Sequence, residues 1–584
     1  MPMQPFGPWR PDIYTIGSEF SSEVKNALPS SSGWKPFPSI ETISAAVGGI
    51  VRGAYVARSS TGTAVLFCGT ATKLYKFDGT SAFTEVTRSS GGDYTLVADE
   101  YWSFDQQDNL LYAVQAGDAP QWINVDSGTN FAALGGSPPL ARYVKAVGDF
   151  LFLLDLASAQ GSVASSGRIQ FAWSGIRDFD HWTYRQKSSD FGTLFSGGFI
   201  MGMTSPITGL ILQEKAVNRI VRTGDSRVWD AARIEGAQGT RSPHSPVEHA
   251  GVLYYYGVDG FAVSSQGAFT QEFGTEWVDE WVKGEANLSR VKTIIGALDP
   301  TRPRLFWLFP SAGNSSYTHD RVIGWDKVAA QGGNGWFHAE LSASFLFPAS
   351  TFGVTLENLG AGSLGYAVDE VSQSITDITQ ANPAVVTYSG SDIYADGMKG
   401  DIASVGGMTE VNGNRYTIAG LDTGAKTFQL SGIDSSAYTT YTSGGTFTTV
   451  PVPYSLDSDV WKGGAPRLGA FDASQLLGYL AGPALEATFR TSLFEPVPGR
   501  RGFVRGFRPV TNAASVQGRV AVAERPQDTP VWLAPAGMTA QGLIPARASG
   551  RQFMIENTIA AGEEWADMKG VDFAPGDLAA DGER

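Results

Sequence analysis

At 584 residues the chain exceeds what one hydrophobic core usually supports, so about two to four domains are expected. Cys68 is its only cysteine, which excludes an intrachain disulfide and any multi-cysteine metal site. Lys and Arg number 43 against 58 Asp and Glu, and the resulting net charge of −15 argues against wrapping of nucleic acid by the chain as a whole.

Seventy Gly, thirty Pro and 12% aromatic residues, with no heptad or long amphipathic run, point to turn-rich all-β structure; large apolar side chains recur throughout, which argues against disorder. No apolar stretch reaches the roughly 18 residues of a membrane span, and MPMQPFGPWRPDIY lacks the order of a secretory signal. The expectation is an unprocessed chain without a membrane span.

Residues 1–50 carry few periodic runs and read as a docking arm. Pro29, Pro36 and Pro38 fix an extended path and remove backbone donors, which suits a strap laid over another surface better than a central strand.

Residues 51–375 read as a β-propeller-like body. Apolar runs of four to eight residues, rich in aromatic and branched side chains, alternate with Gly, Asp, Asn and Pro turns. Units fall at AVLFCGTATKLYKFDGTSAFTEVT, with a tight turn at Asp78-Gly79, then at Trp102 to Trp122, Tyr143 to Trp182, Gly209 to Ile234 and Val252 to Ser265, and on to about Ala339. Irregular spacing leaves the blade number open among five, six and seven. Phe273, Trp277 and Trp281 recur at helical spacing and predict a short amphipathic helix with a core-facing stripe.

Residues 376–450 change character. Thr, Val, Tyr and Ile runs with turns at Asp396-Gly397, Asn412-Gly413 and Gly444-Gly445 predict a small β-barrel inserted into the parent domain. Residues 451–584 read as a C-terminal β-sandwich or sheet platform, with alternation clearest at Gly518 to Ala523 and Arg551 to Glu556, and a loose end. Eight arginines between Arg500 and Arg551 face two acids there, Glu524 and Asp528, while residues 552–584 hold eight acids against two basic residues. That polarity fits head-to-tail docking between copies as well as it fits two solvated faces. Arg500, Arg501, Arg505 and Arg508 are the candidate contacts with other subunits.

A search for chemistry yields weak candidates. Ser188, Asp190, Gly192 and Phe195 match a loose turn of sialidase-like propellers, but the turn occurs once and reads as structural. Asp178 with Asp180, or Asp279 with Glu280, could serve acid-base hydrolysis at glycosidase separation, though turn bonding is the ordinary role. His181, His244, His249, His319 and His338 are too scattered for a metal site, and His319-Asp320 reads as a polar loop. Nucleophile elbow, phosphate loop and dinucleotide fingerprint are absent, and Cys68 reads as a buried strand residue. Tyr254, Tyr255 and Tyr256 could form a partner surface, but blade packing is the default, with Tyr255 facing away from its neighbours. The expectation is no catalytic residue, no metal and no cofactor.

The arm PD…N…LPSSSGWKPFPS, the segments WSFDQQDNLLYAVQAGDAPQ and FAWSGIRDFDHW, YSLDSDVWKGG and EEWADMKGVDF resemble the tail nozzle family of short-tailed bacteriophages, also called tail tubular protein B. QANPAVVTYSG, GGMTEVNGNRYTI and KTFQLSGIDSSAYTTYTSGG resemble the small β module named after the first catalytic-cysteine half-domain of ubiquitin-activating enzymes. The insert has no cysteine, so ubiquitin transfer does not carry over. The resemblance implies a non-enzymatic virion protein: a homohexameric ring at the distal end of the tail, joined to an adaptor ring, contacted by tail fibres and enclosing the path of ejected DNA without binding it specifically. An acidic lumen that repels phosphates is the matching electrostatic expectation. A propeller carbohydrate hydrolase and a receptor-binding tail protein are the alternatives.

Overall fold

The computed structural model describes residues 3–13, 17–162, 166–205, 209–225, 227–265, 270–352, 370–451, 463–496, 499–574 and 577–580. Strands dominate throughout, and the class is all-β as expected.

Six four-stranded antiparallel blades follow one another along the chain. They span residues 54–85, 103–133, 141–193, 200–233, 247–272 and 295–339. Each forms because short apolar runs meet tight turns. In the first blade, Asp78 Oδ1 accepts from the backbone N–H groups of Thr80, Ser81 and Ala82, Gly79 takes φ +88°, and Phe77 meets Phe83 at 5.0 Å. Between blades the aromatic side chains interlock: Phe152 of the third packs edge-on to Trp229 of the fourth. The alternation at Tyr254–Tyr256 holds, since Tyr255 packs with Leu212 and Leu253 while Tyr254 and Tyr256 join the main core.

The gap between the sixth blade and the first is filled by a composite sheet. Its inner strand, Ala343–Phe352, is followed outward by Gly463–Asp472, Leu476–Ala484 and the N-terminal strand Pro38–Ala46. The barrel is inserted between its first two strands. Ser372–Ile378, Val385–Ser389, Thr427–Leu430, Asn414–Asp422, Lys399–Gly406 and Ser443–Thr449 close on themselves around Tyr388, Tyr394, Phe428 and Phe447. Its ends meet, because the Thr449 N–H donates to the Val371 carbonyl at 2.9 Å.

The sixth blade does not end at its outer strand. Trp336–Ala339 pairs in parallel with Glu23–Lys25, and the sheet runs on through Ala487–Arg490, Gln552–Ile559 and Gln517–Ala523 to the short edge strand Val531–Trp532. A seven-stranded sheet built on Gly502–Thr511, Met568–Asp572 and the hairpin Ala27–Ser30/Gly33–Pro36 packs against it, with Phe489, Phe507, Ile544, Phe553 and Val571 in one shared core.

Several expectations change here. The arm is woven into sheets: Glu23–Lys25 is a central strand, while Pro29 sits on the edge strand of the seven-stranded sheet, where a missing N–H is tolerated. The helix covers only Asp279–Glu285; Phe273 and Trp277 precede it, and Phe273 packs instead on Trp325 and Trp336. Gly444 and Gly445 lie inside a strand, where a Cβ on Gly445 would stand 2.4 Å from Val405 Cγ2. The C-terminal end is paired as far as Leu578–Ala580, against Gly502–Val504. YSLDSDVWKGG lies outside the described residues as far as Lys462.

Candidate functional site: the axial cavity and the platform surface

The inner strands of the six blades and of the composite sheet surround an axial cavity of about 400 Å³, which Tyr55, Phe104, Tyr143, His244, Glu248 and Phe347 help to line. Its charged groups are engaged. Glu248 accepts from the Ser205 hydroxyl at 2.8 Å. Lys145 lies 3.6 Å from Asp105, whose Oδ2 also accepts the Ala146 N–H at 2.8 Å. Tyr143 and His244 form the floor, where the His244 ring meets Tyr101 at 5.0 Å and Tyr143 at 6.3 Å. Burial lowers His244 to about 4, so it stays neutral, and raises the Tyr143 hydroxyl far above its ordinary value.

Below that floor lies a network of ion pairs. Arg142 holds Glu100 at 2.7 Å and Asp155 at 3.1 Å, and Arg168 holds Asp155 at 3.0 Å. Burial raises the Asp155 carboxyl, and its two arginines only partly offset that cost.

His319 is a correction. It lies fully buried, with Nε2 2.8 Å from the Thr293 carbonyl and 3.2 Å from the Tyr101 hydroxyl, and burial brings it down to about 4. The adjacent Asp320 accepts from the Ser311 N–H at 2.9 Å, so these polar neighbours close a loop over the core. His338 is also buried, bonded to Glu23 at 2.5 Å and packed on Trp9 and Trp281. Burial alone would raise Glu23, yet the His338 bond and the charges of His338, Arg490 and Lys25 hold it below the usual range.

Asp178 and Asp180 hold different partners, whereas Asp279 and Glu280 line one acidic cleft of about 340 Å³ with Asp12, Asp259, Glu272 and Glu276. Asp178 pairs with Lys187 at 2.6 Å, a hydrogen bond that lowers its pKa, whereas Asp180 accepts the Gly135 N–H at 3.0 Å. Asp279 is buried and pushed up to about 6 by burial, and it accepts the Phe261 N–H at 2.9 Å; Glu280 is exposed and pairs with Lys283. In the sialidase-like turn, the Ser188 carbonyl accepts from Trp173 Nε1 at 2.8 Å and Gly192 packs under the Phe171 ring, while Phe195 is 70% exposed. Among the described residues no cluster of His, Cys, Asp and Glu could hold a metal ion, and Cys68 is buried.

The nominated arginines lie on the platform along Gly502–Thr511 and just before it. Arg500, Arg501 and Arg505 are exposed. Arg501 pairs with Glu524 at 2.8 Å, and Arg508 pairs with Asp577. Arg519 and Arg490 both hold Glu556 at 2.6 Å. Part of the basic module is thus neutralised within its own chain by the acidic segment that follows it.

Two features escaped the sequence reading. Asp12 caps the helix Asp279–Glu285 from a distance, accepting the Glu280 and Trp281 N–H groups at 2.8 Å each; a helix start without its own capping side chain was the available signal. A cleft of about 550 Å³ also opens between the arm and the sixth blade, and only the folded arm creates it.

These elements define an all-β propeller protein with an inserted barrel and a sandwich platform. No protein-family profile and no curated protein matches the chain. Among solved structures, a chain of the mitotic checkpoint complex aligns with 55% of this chain and 86% of its own length, at 8% identity and a TM-score of 0.30. The extracellular domain of a one-component system from B. thetaiotaomicron aligns with 66% of this chain and 53% of its own, at 11% identity and a TM-score of 0.27. Likenesses this remote carry no argument about function. No helix among the described residues is long and apolar enough to cross a membrane.

Proposed function

We propose that the chain is a non-enzymatic building block of a phage tail nozzle, one of six identical copies in a ring at the distal end of the virion tail. The observation that carries this reading is the ten-stranded sheet that runs from the sixth blade into the platform without a break. A shared sheet joins the two bodies through backbone hydrogen bonds rather than a linker, which suits a wall segment that must hold its shape beside its neighbours. In this reading Arg500, Arg501 and Arg505 face adjacent copies or the adaptor ring, the outer propeller surface receives tail fibres, and an acidic inner wall lets DNA pass without adhering. Arg508, already bound to Asp577, braces that surface from within.

The separate engagement of Asp178 and Asp180 weighs against the hydrolase alternative at that turn, because an acid-base pair needs two carboxyl groups converging on one bond. Electron microscopy of the purified protein tests the reading. Closed rings with a central opening are expected; a solitary propeller that cleaves or tightly binds a host glycan would overturn it.

A further inference from the structure

Resting on the ring reading above, we infer that adjacent copies lock together by inserting the edge strand Val531–Trp532 and the following Leu533 of one chain into the cleft between arm and sixth blade of the next. The cleft has an apolar floor and wall made by Phe6, Pro8, Pro29 and Pro303, and Val328 stands in it 62% exposed. On its rim Lys35 and Arg302 have no acidic partner among the described residues.

The chain carries a matching projection. Val531 is 69% exposed and Leu533 37%, two apolar side chains on one face of the outermost strand of the ten-stranded sheet. Trp532, between them, points the other way and is held by Arg519 at 4.5 Å and Arg490 at 5.3 Å, which fixes the direction of its neighbours. Among the described residues the side of Val531–Trp532 away from Gln517–Ala523 has no neighbouring strand, so its backbone can pair with another chain. Asp528, three residues earlier, brings a carboxylate toward the cations on the rim.

A chain cannot fill its own cleft this way. In the sheet order, Val531–Trp532 lies six strand spacings from Arg321–Asp326, which leads into the cleft, a separation of about 29 Å at the usual ~4.8 Å per strand. Projection and cleft are different surfaces, so the contact is head-to-tail, the kind that closes into a ring when its rotation divides the circle. Its small area makes it an anchor within a wider interface.

Cross-linking of the full chain tests this. Because Cys68 is buried, a V531C/V328C double variant has a clean background. Mild oxidation is expected to give a ladder of linked chains on a non-reducing gel, absent from either single variant. In parallel, L533D is expected to lower the assembled fraction at least tenfold with the melting temperature of the chain unchanged, and the charge exchange R302D/D528R is expected to assemble better than either single change. Rings that form normally with no cross-link would overturn the contact and leave the ring reading standing. A wild-type chain that never assembles would overturn both.

Discussion

The inserted barrel and the platform sandwich are both small β bodies, yet they are built in opposite ways. All six barrel strands lie within residues 372–449, and their core is one cluster of the barrel's own residues. The sandwich draws on both ends of the chain: Lys25 pairs with both His338 and Thr488, and Gln4 pairs with Val571. A module of local contacts closes early and can stand alone, whereas one closed by distant segments depends on the completion of everything between them.

Removal of residues 1–46 is expected to have the largest effect. It takes away the outer strand of the composite sheet and the central strand Glu23–Lys25, so soluble protein with a cooperative body transition should be lost. Excision of residues 372–449, joined across the meeting point of Val371 and Thr449, should by contrast leave the body's calorimetric transition in place. Equal damage from both deletions would erase the distinction.

Single core truncations sharpen the same contrast. Trp34 is fully buried and donates from Nε1 to the Phe6 carbonyl at 3.0 Å, so Trp34→Ala should destabilise the body by about 3–5 kcal/mol and leave the barrel transition unmoved. Phe428→Ala, at the centre of the barrel, should do the reverse with a similar magnitude. Denaturant melts followed with separate probes read the two transitions.

Asp279 gives the body a pH signature. Burial raises its native value to about 6, above the 3.8 of a free aspartate, so the folded chain binds the extra proton. Its contribution to stability is therefore complete below about pH 4 and is lost as pH rises through about 6. Asp279→Asn should keep an acceptor for the Phe261 N–H, flatten that slope and stabilise the body above pH 6 by up to about 3 kcal/mol. An unchanged slope in urea melts across this range would contradict the assignment. The smallest effect is expected from Asp12→Ala, which removes the cap on Glu280 and Trp281 and should cost about 1 kcal/mol, read as a small fall in melting temperature.

The same contrast explains what the sequence made legible. The blades and the barrel could be read because their strands pair with near neighbours, so the pattern of apolar runs and turns at Asp78-Gly79 carries the information. The place of the arm could not be read, since the pairing of Ile40 with Leu480 leaves no local trace and its prolines suggest a strap. Charge along the chain marked out Arg508 and Arg519, but their bonds to Asp577 and Glu556 exist only once the strands within each sheet are in register. His319 looked polar because its neighbours Thr318 and Asp320 are, while its own ring turns inward to Thr293. The cleft could not be foreseen at all, because its walls come from segments some 300 residues apart that meet only when the arm folds.

The central claim concerns assembly, and native mass spectrometry of the full chain addresses it most directly. The account predicts a dominant species of six times the chain mass, which L533D converts to single chains that remain folded. A wild-type protein that stays a single chain at every concentration would contradict it.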